Sequence, residues 1–137
     1  MSLGGPHVAF SGGASGGVNI ITADTSSTGV PLVDSATGVV ILSVMAPNDG
    51  RVHAILCASF TKVITATLTG GSVTLSWTPP GVAQQVISTT ETAIGHVSHS
   101  VTEVTTAPTM KPGSSLVIKQ GGMSAGSGIV YAKIVIA

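Results

Sequence analysis

Four histidines are the residues that could bind a metal ion, so their spacing is the first question. His96 and His99 are three residues apart in a segment with strand character, which places them on opposite faces of a strand. His7 and His53 are far from both in the sequence. We therefore expect no metal site.

Nucleophilic and acid–base chemistry have equally little support. Cys57 has no activating motif around it and lies in the apolar run 54–58, which favours a small buried side chain. Asp49 belongs to a turn, and the other carboxylates form no recognisable catalytic pair. The glycine tracts at 11–17 and 121–128 lack the Lys-Ser/Thr ending of a phosphate-binding loop. We expect no enzymatic activity and no cofactor.

Charge is scarce throughout the chain. Asp, Glu, Lys and Arg make up 7% of its 137 residues, against about 25% in a typical soluble domain. A surface of Ser, Thr, Gly and Ala is a weak electrostatic barrier to association. We therefore expect a homo-oligomer, with a trimer as the expected form. Five basic and five acidic residues balance, so we expect neither nucleic acid nor a membrane surface as a partner.

Hydropathy predicts no membrane span and no signal peptide. The longest charge-free stretch, 63–90, is interrupted by paired glycines and paired prolines, whereas a spanning helix needs about 20 apolar residues. The N-terminus has no basic region followed by an apolar one. A single cysteine fits a reducing compartment. These features predict synthesis in a cytoplasm.

The strand signals predict an all-β fold. Val, Ile and Thr dominate, and Gly and Pro interrupt the chain at short intervals. About eight strands between residues 36 and 137 suit an antiparallel β-sandwich, jelly-roll-like in its arrangement. An immunoglobulin-like sandwich is the nearest alternative, although the second cysteine typical of that fold is missing.

Individual strands follow from local patterns. The segment 38–46 is apolar on both faces, which predicts a strand covered on each side, and Asp49-Gly50 predicts a tight hairpin turn. Segments 63–69 and 72–77 predict a hairpin across Gly70-Gly71. Further strands are expected at 51–60, 84–90, 96–104, 115–120 and 129–137, with 121–128 as a loop. Alternation within them predicts a core of Val52, Leu56, Phe60, Leu75, Trp77, Ile118, Ile134 and Ile136.

The first 35 residues differ from the rest. Their glycine tract predicts a flexible, extended N-terminal arm, and residues 36–137 are expected to fold without it. The arm nevertheless carries apolar side chains that need a covering surface from a partner, namely Val18, Ile20, Ile21, Val30 and Leu32.

Several short motifs resemble those of a known family. The segment 45–52 (MAPNDGRV) opens the β-rich region, and 110–113 (MKPG) precedes the strand SSLVIKQ. A glycine-rich loop and a terminal apolar strand follow. Over residues 38–137 this pattern resembles the head decoration (cement) proteins of tailed bacteriophages, which have a jelly-roll-like β-sandwich.

The resemblance implies a structural protein of the virion. Such a protein binds the major capsid protein on the capsid surface, as an oligomer, and stabilises the icosahedral head by bridging capsid subunits. The apolar residues of the arm would then contact the capsid. Low-charge faces that include Thr74 and Tyr131 would form the oligomer contacts.

Two other functions remain open. A receptor-binding or adhesion module would use a similar sandwich, but it favours exposed aromatic side chains, and this chain has four aromatic residues, Phe10, Phe60, Trp77 and Tyr131. A self-assembling shell protein would form large particles instead of a small closed oligomer.

Overall fold

The computed structural model describes residues 20–101 and 108–137, which contain ten β-strands. Their bounds are β1 Ile21–Asp24, β2 Val30–Pro31, β3 Val39–Met45, β4 His53–Gly70, β5 Val73–Trp77, β6 Gln85–Thr89, β7 Gly95–Ser100, β8 Thr109–Met110, β9 Ser115–Gln120 and β10 Met123–Ile136.

The strands form two antiparallel sheets. Sheet A has six strands in the order β1-β10-β4-β7, with β2 paired to β10 and β8 paired to β4. Sheet B has four strands in the order β3-β9-β5-β6. The fold is therefore an all-β antiparallel sandwich, as the sequence predicted.

The pairing is nested, which makes the sandwich a jelly roll. Counting inward from the two ends of the described chain, β1 pairs with β10, β3 with β9, β4 with β7, and β5 with β6. These pairs form one long antiparallel ribbon whose successive pairs lie alternately in sheet A and sheet B. Further pairing of β10 with β4 and of β9 with β5 closes each sheet. This is the double-sheet arrangement of a jelly roll.

The core lies between the sheets and comes from the inward side of each strand. In β5, Val73, Leu75 and Trp77 are buried while Thr74 and Ser76 point outward, and β10 alternates in the same way. Six of the eight predicted core residues are buried: Phe60, Leu75, Trp77, Ile118, Ile134 and Ile136.

The other two, Val52 and Leu56, are exposed, so the prediction for them was wrong. A β-bulge is the reason for Leu56. On β10, Val135 pairs with Cys57 but Ile136 pairs with Ile55, so Leu56 is an extra residue on β4. An extra residue reverses the alternation on either side of it. Ile55 and Ala58 consequently both face the core, and Leu56 is 50% exposed.

The predicted hairpin across Gly70-Gly71 was also wrong. β4 is a single strand of 18 residues, and it pairs with β10, β7 and β8. β5 does not pair with it, because β5 lies in sheet B between β9 and β6. Gly70-Gly71 instead carries the chain from sheet A to sheet B, and the Gly71 amide donates to the Gly122 carbonyl at 2.8 Å.

The glycine tract 121–128, predicted as a loop, lies largely within β10. It pairs with the last residues of β4 through several register shifts. A Cβ atom on Gly126 would lie 2.5 Å from the Thr67 carbonyl oxygen, so the two backbones approach too closely for a side chain. Gly126 and Gly128 lie against the backbone of β4, which leaves no room for a side chain at either position.

Residues 20–35 pair with sheet A. β1 extends along β10 from Ile21–Ile136 to Asp24–Lys133, and β2 pairs with Ile129 and Val130. The arm predicted for residues 1–35 therefore includes two strands of the sandwich. Residues 1–19 lie outside the described residues, and the arm stays a prediction there.

Candidate interaction surfaces

The histidines of β7 are separated by the sheet, as their spacing predicted. His96 is exposed on the outer side, whereas His99 points inward with its ring 5.6 Å from the ring of Phe60. Within residues 20–101 and 108–137, no three His, Cys, Asp or Glu side chains lie close enough together to hold a metal ion. Cys57, expected to be buried, is half-buried beside the bulge, with Sγ 4.0 Å from Ser59 Oγ.

The turn between β3 and β4 holds a polar cluster that the sequence analysis missed. Asp49 Oδ1 accepts from the Arg51 amide and lies 2.9 Å from Nε2 of the buried His53. Asp49 Oδ2 lies 3.3 Å from Arg51 Nε. The hydrogen bond with His53, together with the Arg51 amide, holds the pKa of Asp49 below its usual value. The sequence signal that could have predicted this cluster is the spacing of Asp49, Arg51 and His53 across a turn.

Lys62 is the most unusual buried residue in the described part of the chain, since it is fully buried on the inward side of β4. Its Nζ donates to the Glu91 carbonyl at 2.8 Å and to the Gly71 carbonyl at 3.3 Å. Burial lowers the pKa of the Lys62 amine, and the charge of Glu91 partly offsets this. The ammonium group thus ties the β6–β7 loop to the crossing between the sheets. Its inward position follows from the alternation of Phe60, Lys62 and Ile64.

Gln120 provides a second buried polar tie. Its Oε1 accepts from the Val33 amide at 3.0 Å, and its Nε2 donates to the Val33 carbonyl at 2.6 Å. A side-chain amide thereby pairs with the backbone as a neighbouring strand would. These two bonds fasten the segment after β2 to sheet B.

The residues predicted to contact a capsid differ in how far they are buried within the chain. Ile20 is 50% exposed at the start of β1, while Ile21 packs against the core. Val30 is half-buried and pairs with Val130, and Leu32 is buried in the core. Val18 lies outside the described residues. The structure accounts for Ile21 and Leu32 by contacts within the chain, which leaves Ile20 as the exposed member of the described set.

The two residues predicted to form oligomer contacts lie on opposite sides of the sandwich. Thr74 points outward from the centre of sheet B, and Tyr131 points outward from sheet A, half-buried and opposite Thr61. They therefore belong to two separate surfaces. Sequence alternation gave their outward orientation, but it could not assign them to a sheet.

The sheet A face is the outward side of sheet A. It is polar and includes both signs of charge, with Asp24 directly opposite Lys133. Neighbouring hydroxyls bond across its strands, as in Thr61 Oγ1 to Ser98 Oγ at 2.9 Å. The face consists of Thr22, Asp24, Cys57, Ser59, Thr61, Val63, His96, Ser98, Ser100, Ile129, Tyr131, Lys133 and Val135.

The sheet B face is the outward side of sheet B and is more apolar. Val40, Met45 and Val86 are 54%, 65% and 58% exposed, and Lys119 is the one ionisable side chain on it. The face consists of Val40, Ser43, Met45, Thr74, Ser76, Val86, Ser88, Ser115, Val117 and Lys119. Its apolar residues on β3 correct the prediction that this strand is covered on each side. The sandwich has two layers, so one side of β3 faces outward.

In the described part of the chain, no helix is long and apolar enough to cross a membrane. No protein-family model matches the sequence, and no curated protein matches it. A chain in the structure of infectious bursal disease virus Gx strain is similar, with a TM-score of 0.39 and 12% sequence identity, and the match covers 85% of this chain and 29% of that chain.

Proposed function

We propose that this protein is a structural component of a bacteriophage virion that decorates the capsid, binds the major capsid protein and stabilises the head by bridging its subunits. The observation that carries the proposal is the jelly-roll sandwich with two broad faces on which only Asp24, Lys133 and Lys119 are formally charged. Jelly rolls are common in viral capsid domains. Faces of this kind can be buried against protein at a small desolvation cost.

The proposed contact with the capsid involves the side of the sandwich where β1 begins. Ile20 is exposed there, and β1 lies at the edge of sheet A. An apolar side chain at an exposed strand end suits a contact with a neighbouring protein surface. Because few charges take part, binding depends only weakly on ionic strength. The protein is a homo-oligomer in this proposal, and the trimer inferred from composition stays a prediction.

The proposal includes no catalytic role and no cofactor. Three of the described groups that could do chemistry are engaged in contacts within the fold. His53 is bonded to Asp49, His99 faces Phe60, and Lys62 bonds to two carbonyls. These contacts support a structural role.

An adhesion module is less well supported. Stacking on sugars or on host receptors needs exposed aromatic rings. Phe60 and Trp77 are buried in the core and Tyr131 is half-buried, while Phe10 lies outside the described residues.

The test is co-sedimentation with heads assembled from the major capsid protein encoded nearest to this gene, without any other decorating protein. We expect saturable binding that is similar at low and high salt, and heads that withstand a higher temperature when decorated. Absence of binding would overturn the proposal, and binding to host cells instead would favour adhesion.

A matched pair of variants locates the contact. Ile20→Lys places a charge at the start of β1, whereas Ile94→Lys places the same charge on the β6–β7 loop, where Ile94 is also exposed. We expect Ile20→Lys to weaken binding to heads at least tenfold and Ile94→Lys to leave it unchanged. Equal binding by both variants would move the contact away from β1.

A further inference from the structure

The sheet B face has a regular arrangement of side chains across its four strands. The strand register places Ser43, Val117, Ser76 and Val86 side by side in one central row. Val40, Lys119, Thr74 and Ser88 form the row on one side of it. Met45 and Ser115 lie on the other side. Small and apolar residues therefore alternate along the central row, whereas the neighbouring row includes Lys119.

The charge of this face narrows the kind of partner that fits it. Lys119 is its one ionisable side chain, and it carries no carboxylate. A strongly acidic or basic partner would find little electrostatic complement here. A neutral surface that presents small and apolar side chains in a flat array is the better match, and the same face of a second copy is such a surface.

The size of the face sets the strength of such a contact. Each outward residue of a sheet covers roughly 30 Å² of its plane, given the spacing of strands and residues, so ten residues cover about 300 Å². Two copies packed through this face would cover about 600 Å² of sheet plane in total, and the accessible area that they bury would reach at most about the 1,000 Å² that a specific interface needs. The contact is therefore expected to be weak and reversible.

We propose that the sheet B face is the surface through which two copies of this chain associate, face to face about a two-fold axis that lies along the central row. Sheets packed in this way are about 10 Å apart. The axis places Val117 opposite Val117 and Val86 opposite Val86 of the second copy. It also places Lys119 over Ser115 of the second copy, so the two ammonium groups do not meet. Sheet A and Ile20 stay free for the capsid.

This inference deepens the homo-oligomeric part of the proposed function, and it can be tested without capsids. Sedimentation velocity over a series of concentrations measures the association of the wild-type chain. Val86→Lys adds a charge at the proposed interface, on an edge strand where the side chain is already exposed. Ser98→Lys adds the same charge to the sheet A face as the matched control. Circular dichroism verifies that both variants fold.

We expect the wild-type chain and Ser98→Lys to show the same monomer–dimer equilibrium, and Val86→Lys to raise the dissociation constant at least tenfold. Thr74→Lys, in the neighbouring row, is a second variant with the same expected effect. A monomer at all concentrations, a trimer, or equal weakening by Val86→Lys and Ser98→Lys would overturn the inference. A dimer that fails to bind heads would instead contradict the proposed function and leave the dimer surface intact.

Discussion

Sheet A and sheet B contribute to one core, but they differ in strand length and in the regularity of their strand pairing. Sheet A includes two long strands, β4 and β10, whose pairing contains several register shifts, and it holds the buried Lys62. Sheet B has strands of five to seven residues, and its pairing contains one shift, between Val40 and Leu42. Long paired strands accumulate twist, and bulges accommodate it. The irregular pairing is therefore concentrated in sheet A, whereas each sheet contributes one buried polar tie, Lys62 in sheet A and Gln120 in sheet B.

Removing residues 1–35 should have the largest effect, because it removes part of the irregular sheet. The deletion strips β1 and β2 from β10, takes Leu32 out of the core and leaves the Gln120 side chain without Val33. We expect loss of cooperative thermal unfolding, measured by circular dichroism. Deletion of residues 1–19 is the control and keeps every described contact. Cooperative unfolding of the 36–137 fragment at the wild-type temperature would show that β1 and β2 are dispensable.

Two leucines, one from each sheet, provide the next comparison. Leu75 in sheet B is fully buried, whereas Leu56 in sheet A lies in the bulge and is 50% exposed. We expect Leu75→Ala to lower the free energy of unfolding by about 2–5 kcal/mol and Leu56→Ala to lower it by less than about 1 kcal/mol. Urea denaturation measures both values. Similar losses in the two variants would mean that Leu56 is covered in solution.

Substitutions in the turn that joins β3 of sheet B to β4 of sheet A should lower the free energy of unfolding by less than Leu75→Ala does. Gly50 has a φ of 79°, as the Asp49-Gly50 pattern predicted, and a Cβ atom placed there would touch nothing within 4 Å. Backbone strain is therefore the only free-energy cost of placing a side chain at position 50. Gly50→Val should lower the free energy of unfolding by about 1–2 kcal/mol, and Gly50→Asn by less, since Asn tolerates positive φ. Equal melting temperatures for the two variants would contradict this explanation.

The smallest effect expected is the change in stability with pH that the buried Lys62 causes. Its pKa is lowered from 10.5 by burial, so the folded state disfavours the charged form. The free-energy cost of burying the charged amine is fully present below the folded-state pKa. It is relieved as the pH rises from there towards the ordinary lysine pKa of 10.5. The wild-type chain should therefore gain stability relative to Lys62→Met over this range, measured by urea denaturation. Lys119→Met, at an exposed position, is the control, and identical pH profiles for the two variants would contradict the assignment.

Local patterns predicted much of the strand content. Alternation located the inward side of β5, β9 and the end of β10 because the extra residues at the nearby bulges lie on the partner strands and not in these segments. The positive φ at Gly50 was predicted because the turn chemistry is local, but the hairpin expected there was wrong, since β3 and β4 lie in different sheets. The sandwich followed from the number of such strands and from the absence of helix-favouring segments in the sequence.

Features that depend on distant residues were not predictable in this way. The bulge at Leu56 depends on how β10 pairs with β4, and the route through Gly70-Gly71 depends on the contact of these glycines with Gly122 and Met123. Lys62 was missed because its acceptors belong to two distant segments. For the same reason, outward residues such as Thr74 and Tyr131 could be identified, but not the sheet that carries each.

The nested pairing also sets the order in which the chain can fold. β5 and β6 are close in sequence and can pair early, but Ile21 must meet Ile136, and such distant pairing slows folding. β4 depends on β10, which the ribosome completes long after β4 has emerged. Until then, the edge of β4 that pairs with β10 has no partner strand, which is a state prone to aggregation. We therefore expect the sandwich to complete its folding in a late step that begins when β10 becomes available.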